Sequence, residues 1–217
     1  MDVMISRVEE DGQHFSYDAD TVIKATCLNM VLATITMAWA LSLLLNNHQD
    51  VLENAQLELD EKVGRSRQVK ESDVKNLPYL QAIVKETLRL YPAAPLLVPH
   101  ESIEDCTAAG YHISKGTRLI VNFQKLQKDS VVWEGPCEFR SERFLTSQKD
   151  FDVRGQSPQF IPFGNGRRMC PAISFALQMI HLTFANFLHG FKIERSSDEP
   201  LDMEESVGLT SLRMLIF

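Results

Sequence analysis

The 217-residue chain is short of the features that mark several large classes of protein. Its four cysteines, Cys27, Cys106, Cys137 and Cys170, are far apart, with no Cys-x-x-Cys pair and no Cys/His finger spacing. That argues against a disulfide framework or a zinc module and fits a reducing compartment. Positive charge is scarce too: 22 Lys and Arg stand against 29 Asp and Glu, a net charge of -7. A nucleic-acid binder would show a basic stripe, so no nucleic-acid partner is expected. Met1 to Tyr17 carries Asp2, Glu9, Glu10 and Asp11 and no apolar core segment, so neither a signal peptide nor a membrane anchor is expected there. There is no internal repeat and no low-complexity tract.

What is present is enough apolar material, 44% of residues, for one sizeable core. Cys27 to Leu45 runs nineteen residues without a charge. Asn29, Thr34, Thr36 and Ser42 dilute it, which suits a long helix in a globular core, with a membrane span as the alternative. The chain then divides into a polar lead-in (1–19), a central long helix (20–45) capped by Asp18 or Asp20, and an amphipathic helix Gln49–Val63 stopped by Gly64. Ser72 and Asn76 offer caps for a short turn and for a helix over 77–90, which Pro92 and Pro95 end. From Leu96 to Val121 the pattern predicts strands, Tyr111–Ile113 and Thr117–Val121 forming a hairpin about Lys115-Gly116. Asp129 to Pro162 has little periodicity, and loops of that length commonly wrap or hold something. Short strands are expected over Phe191–Phe217.

The chemistry concentrates in 163–172, Phe-Gly-Asn-Gly-Arg-Arg-Met-Cys-Pro-Ala. Pro171 suits the first position of a helix over 173–189, with Gly190 as its stop, which makes Cys170 the expected N-cap. A sulfur there faces unpaired backbone N–H groups and the positive end of the helix dipole, which suits an anionic metal ligand or nucleophile. Gly164 and Gly166 permit a tight turn, and Arg167 and Arg168 supply fixed positive charge. The plain alternative is a buried cysteine in a Gly-rich turn.

This Phe-x-x-Gly-x-Arg-x-Cys pattern resembles the haem-binding signature of the cytochrome P-450 (haem-thiolate monooxygenase) superfamily. Two further motifs stand in the family's order. Glu86-Thr87-Leu88-Arg89 matches its Glu-x-x-Arg, which alone would read as a surface ion pair. Phe139-Arg140-Ser141-Glu142-Arg143-Phe144 looks like its Pro-Glu-Arg-Phe segment, with Ser141 in place of Pro. The local wording of the long helix, including Asp20-Thr21-Val22-Ile23 and Ala40-Leu41-Ser42-Leu43, resembles plant microsomal members. The resemblance implies a mainly α fold with small β-sheets, the C-terminal lobe of the P-450 architecture and incomplete: one partial domain over 1–217.

By the same resemblance, Cys170 would be the proximal thiolate ligand of haem b and Arg168 would pair with a haem propionate. His100 would do the same, although it also reads as a plain loop histidine. Gly166 would turn the loop and Phe163 would shield the sulfur. Glu86, Arg89 and Arg143 would form a buried triad locking the irregular segment to the core. The implied reaction inserts one oxygen atom from O2 into a small organic specialised metabolite, with electrons from an NADPH-dependent flavoprotein reductase docking on the cysteine side. The implied setting is the cytosolic face of the endoplasmic reticulum membrane, through an anchor not expected within this stretch.

Three departures bear on activity. The family's central helix carries Ala/Gly-Gly-x-Asp/Glu-Thr-Thr/Ser, whereas here Ala33-Thr34-Ile35-Thr36-Met37-Ala38 has no glycine and no acid. About five residues are absent by comparison, more than one helical turn. Thr34 is then a weak candidate for the missing threonine, and a hydroxyl bonded to its own helix backbone is the competing reading. Ala172 stands where the family has Gly, and Gln124 where Trp is expected. A non-catalytic remnant or interaction protein that retains the haem-ligand loop without turnover is therefore the alternative to an impaired monooxygenase.

Overall fold

A computed structural model describes residues 19–46, 48–195, 199 and 201–205, with side chains from residue 32 onward. The cap Asp18, most of the lead-in and residues 206–217 lie outside the described residues. Among the described residues five helices carry the fold: α1 Ala19–Leu45, α2 Gln49–Lys62, α3 Pro78–Leu90, the short α4 Phe123–Gln127 and α5 Ile173–Gly190. Four short strands follow α3 among the described residues: β1 His100–Glu101, β2 Cys106–Ala108, β3 Tyr111–Ile113 and β4 Arg118–Leu119.

Each helix ends for a physical reason. Asp20 falls inside α1 rather than capping it, since the helix is already formed at Ala19. In α2 the C-cap is Val63, and Gly64 takes φ +75° while its N–H reaches the Asp60 carbonyl at 3.1 Å, the left-handed close that glycine permits. Ser72 and Asn76 both fall within a 3₁₀ turn, Glu71–Asn76, so the cap of α3 is Leu77 with Pro78 at the first turn. Its first free N–H groups are satisfied from another helix: Glu58 of α2 accepts from Tyr79 N–H at 2.8 Å and Leu80 N–H at 3.0 Å. A carboxylate at a helix N-terminus also meets the favourable end of the dipole.

The core is helix on helix. α1 packs on α3 and α5, while α2 contacts all three. Ala40, Leu43 and Leu44 from α1 meet Leu80, Ile83, Val84 and Leu88 of α3 and Ile180, Phe184, Ala185 and Leu188 of α5 in one buried cluster. No helix among the described residues is long and apolar enough to cross a membrane. Thr36 and Ser42 are buried and turn their hydroxyls onto the carbonyls four residues back, Leu32 at 3.4 Å and Ala38 at 2.7 Å, so their polarity is absorbed by the helix itself.

The strands pair differently from the expected hairpin. β3 pairs antiparallel with β2, Cys106 opposite Ile113, around Ala109-Gly110; both turn residues have positive φ, 51° and 84°, the twist a two-residue hairpin turn needs. β4 instead reaches back to β1, His100 opposite Leu119. Gly116 does turn the chain, at φ 80°, but it joins the two small sheets rather than two partners of one. Phe123–Gln127, past the predicted strands, is helical, with Asn122 Oδ1 accepting from Lys125 N–H. Residues 191–195 and 201–204 contain no strand.

Candidate haem-thiolate site

Residues 128–162 hold together without regular strands. An aromatic cluster fills their interior: the fully buried Trp133 stands edge-on to Phe151 at 5.4 Å and to Phe160 at 6.0 Å, beside Phe144. The segment is tied to α3 by ions. Glu86 and Arg89 are fully buried and joined by two parallel bonds, from Nε to Oε2 and from Nη2 to Oε1, both 2.8 Å. Arg143 adds a third guanidinium bond, Nε to Glu86 Oε1 at 3.2 Å, and the Arg140 N–H donates to the same oxygen at 2.9 Å.

The remaining guanidinium protons go to backbone carbonyls. Arg89 reaches those of Gln127 and Pro136 at 2.7 Å and Glu138 at 3.1 Å, and Arg143 reaches those of Glu134 at 2.8 Å and Gly135 at 3.3 Å. Burial lowers the Arg143 guanidinium from its ordinary value; the Glu86 carboxylate opposes that shift and the Arg89 charge adds to it. Glu86, Arg89 and Arg143 thus meet at one point, three residues and fifty-seven residues apart in sequence. Ser141, at the position where the related pattern has Pro, is buried at the start of the 3₁₀ turn Ser141–Phe144.

The irregular segment delivers the chain to the cysteine loop. Gly164 and Gly166 take φ +76° and +70°, and between them Asn165 Oδ1 accepts from Gly166 N–H at 2.6 Å. That bond opens a 3₁₀ turn, Gly166–Arg168, closed by Met169 N–H on the Gly166 carbonyl at 3.1 Å. Cys170 N–H then returns to the Phe163 carbonyl at 3.0 Å, so the sulfur sits at the neck of a closed loop. The N-cap of α5 is Ala172, with Ala176 N–H on its carbonyl at 2.8 Å, so Cys170 precedes the cap by two residues instead of being it. Pro171 and Ala172 are spent in a turn that separates thiol from helix.

Cys170 is a free, half-buried thiol; Phe163 is half-buried, and Arg167 and Arg168 are exposed. Phe175 and Met179 leave large apolar surfaces uncovered on the first half of α5, at 55% and 42% exposure. No group of three or more His, Cys, Asp or Glu side chains could hold a bare metal ion among the described residues. A lone thiol, exposed guanidiniums beside it and an apolar approach fit a group that brings its own equatorial ligands, an anionic edge and a flat apolar body. The donor set therefore fits haem.

Other expected residues lie elsewhere. His100 is half-buried on β1, next to a patch of exposed apolar side chains, Val98, Leu119 and Ile120. Alternation along two-residue strands gave no signal for that patch. Thr34 is exposed and borders a cavity of about 240 Å³ with Met37, Thr183, Phe184 and Phe187. Those α5 residues lie ten and more positions past Ile173, roughly 15 Å of helix rise from the cysteine end. Gln124 donates to Glu205 Oε1 at 3.0 Å, a polar contact at the position where Trp was expected.

The fold and the loop together define a haem-thiolate type of protein. The cytochrome P450 family model matches residues 1–216, and the chain belongs to that family. Cytochrome P450 82C3 of Arabidopsis thaliana is 56% identical over 217 residues, 97% of this chain and 42% of its own length. Flavonoid-6-hydroxylase of Ocimum basilicum is 54% identical over 218 residues, covering 98% and 41%. A zebra fish cytochrome P450 solved with abiraterone superposes with a TM-score of 0.74 at 33% identity, over 83% of this chain and 41% of that one. The chain thus spans about two fifths of the length of the curated relatives it matches, and of the fold. Membership implies a haem cofactor with a cysteine thiolate ligand.

Proposed function

We propose that the chain holds haem b through the Cys170 thiolate and serves a monooxygenase reaction on a small organic specialised metabolite. The observation that carries the reading is the Cys170 loop, a free thiol at the neck of a turn closed by its own backbone. Bound haem supplies oxygen activation, and a thiolate ligand pushes electron density toward it. The chain's own residues do the rest. Phe163 shields the sulfur, Gly166 turns the loop, and Arg168, with His100 from the β1 edge, offers positive charge to the haem propionates. Glu86, Arg89 and Arg143 keep the segment leading into the loop in place. Electrons come from an NADPH-dependent flavoprotein reductase docked on the cysteine side, at the cytosolic face of the endoplasmic reticulum membrane. The Ocimum basilicum relative, a flavonoid-6-hydroxylase by name, supports this reaction class.

A second reading, a haem-binding remnant without turnover, is favoured by Ala33–Ala38, which offers no acid and bonds the Thr36 hydroxyl to its own helix. Spectra of the 217-residue chain reconstituted with haem separate the two. The reduced, CO-treated protein is expected to show the Soret band of a thiolate-ligated carbonyl, lost in Cys170→Ala. A folded chain that takes up no haem overturns both readings, and haem uptake without NADPH- and reductase-driven product selects the second.

A further inference from the structure

The stretch Asp152–Gly155 grips the cysteine loop from both sides. Arg154 Nη1 donates to Ser174 Oγ at 3.1 Å, on the first turn of α5, while its Nε lies 3.8 Å from Asp152 Oδ2. Gly155, at φ +75°, lies against the other limb of the loop: a Cβ there would meet Asn165 Oδ1 at 2.9 Å, Asn165 Cγ at 3.3 Å and Met169 Sδ at 3.3 Å. The obstacle at Gly135 is of another kind, the far ends of the Arg140 and Glu138 side chains, which can swing away. Asn165 cannot move so freely, because the oxygen a methyl would push is the one that caps Gly166 N–H.

We propose that Gly155 and Asn165 are a positioning pair for Cys170. Gly155 leaves the space that Asn165 needs, and Asn165 starts the 3₁₀ turn. The bonds Met169 N–H to Gly166 carbonyl and Cys170 N–H to Phe163 carbonyl then fix where the sulfur stands. Both residues act through the loop backbone. Their importance for haem rests on Cys170 being the ligand; their control of the loop does not.

The test uses the full chain as wild type, Asn165→Ala, Asn165→Ser and Gly155→Ala. In haem-free protein, the rate of Cys170 alkylation by iodoacetamide is read peptide by peptide, with the exposed thiols of Cys106 and Cys137 as internal references. Asn165→Ala and Gly155→Ala are expected to raise the Cys170 rate several-fold and leave the references alone. Asn165→Ser, whose hydroxyl still caps, should stay near wild type. An unchanged Cys170 rate in Asn165→Ala overturns the proposal, and that variant decides the matter even where Gly155→Ala fails to fold. In haem-loaded protein, the fraction of bound haem giving the thiolate-type CO band should fall in Asn165→Ala and return in Asn165→Ser. A drop in total haem and melting temperature with an unchanged fraction marks a merely structural role and overturns positioning. If wild type binds no haem, the ligand reading fails, and the alkylation ranking still decides the pair.

Discussion

The Glu86 cluster and the Cys170 loop are both places where an irregular backbone is pinned, and they are pinned by opposite means. The cluster is buried, with the two guanidiniums of Arg89 and Arg143 spread over side-chain and carbonyl acceptors from several stretches of chain. The loop is held by three short-range bonds, two glycines of positive φ and a cap residue open to water. Redundant, desolvated bonding makes the first a structural lock, where removing one partner strands a charge in the interior. Sparse backbone bonding leaves the second with its sulfur and two arginines uncommitted. Fold and ligand chemistry are thereby placed in separate hands.

The widest separation should come from Arg89→Ala, which leaves Glu86 buried with one guanidinium and strips donors from three carbonyls; a loss of about 3–5 kcal/mol is expected, read from the urea midpoint. Equal stability in that variant would erase the contrast. Acid should come next, through α5. Burial lowers the His181 imidazole from 6.5 to about 4, with the Lys85 charge as the second cause, and its Nε2 is buried without a partner. Because the depressed value belongs to the folded state, the stability it supports is present above the unfolded value and is lost as pH falls toward about 4. The span corresponds to a change on the order of 3 kcal/mol, visible as a fall in melting temperature that flattens in His181→Phe.

Cys170→Ala should cost only about 1 kcal/mol, an ordinary figure for a point change, while abolishing the thiolate spectrum. A cost as large as that of Arg89→Ala would mean that the loop, too, is a lock. Arg168→Ala, at an exposed side chain, should leave the melting temperature unmoved and reduce haem retention on a desalting column.

The sequence made the locally determined parts plain. Hydrophobic period and a stop residue sufficed for α2 and α3, and the cysteine loop is a contiguous run whose bonds are nearly all internal. Glu86 and Arg89 lie on one helix face, but nothing local shows that Arg143 joins them; only the resemblance carried that. What misled was chemistry shared by alternatives. Gly110 and Gly116 both turn the chain with positive φ, and which of them closes a hairpin depends on β4 finding β1, a distant choice. The caps of α3 come from Glu58, twenty-one residues upstream of Tyr79, where no capping pattern looks. Gly155 gave no signal because its reason lies in the loop above it.

The way Arg89 and Arg143 spend their protons also sets what the 127–138 stretch can become under mutation. The acceptors at Gln127, Glu134, Gly135, Pro136 and Glu138 are main-chain carbonyls, a group every amino acid carries. Side-chain identity there can drift with little penalty, apart from the buried Trp133, the buried Gln127, whose Nε2 donates to the Gln159 carbonyl, and Gly135, which sits at φ +55°. Length cannot: one inserted or deleted residue shifts every carbonyl past two fixed guanidiniums. The stretch is tolerant of spelling and strict about count.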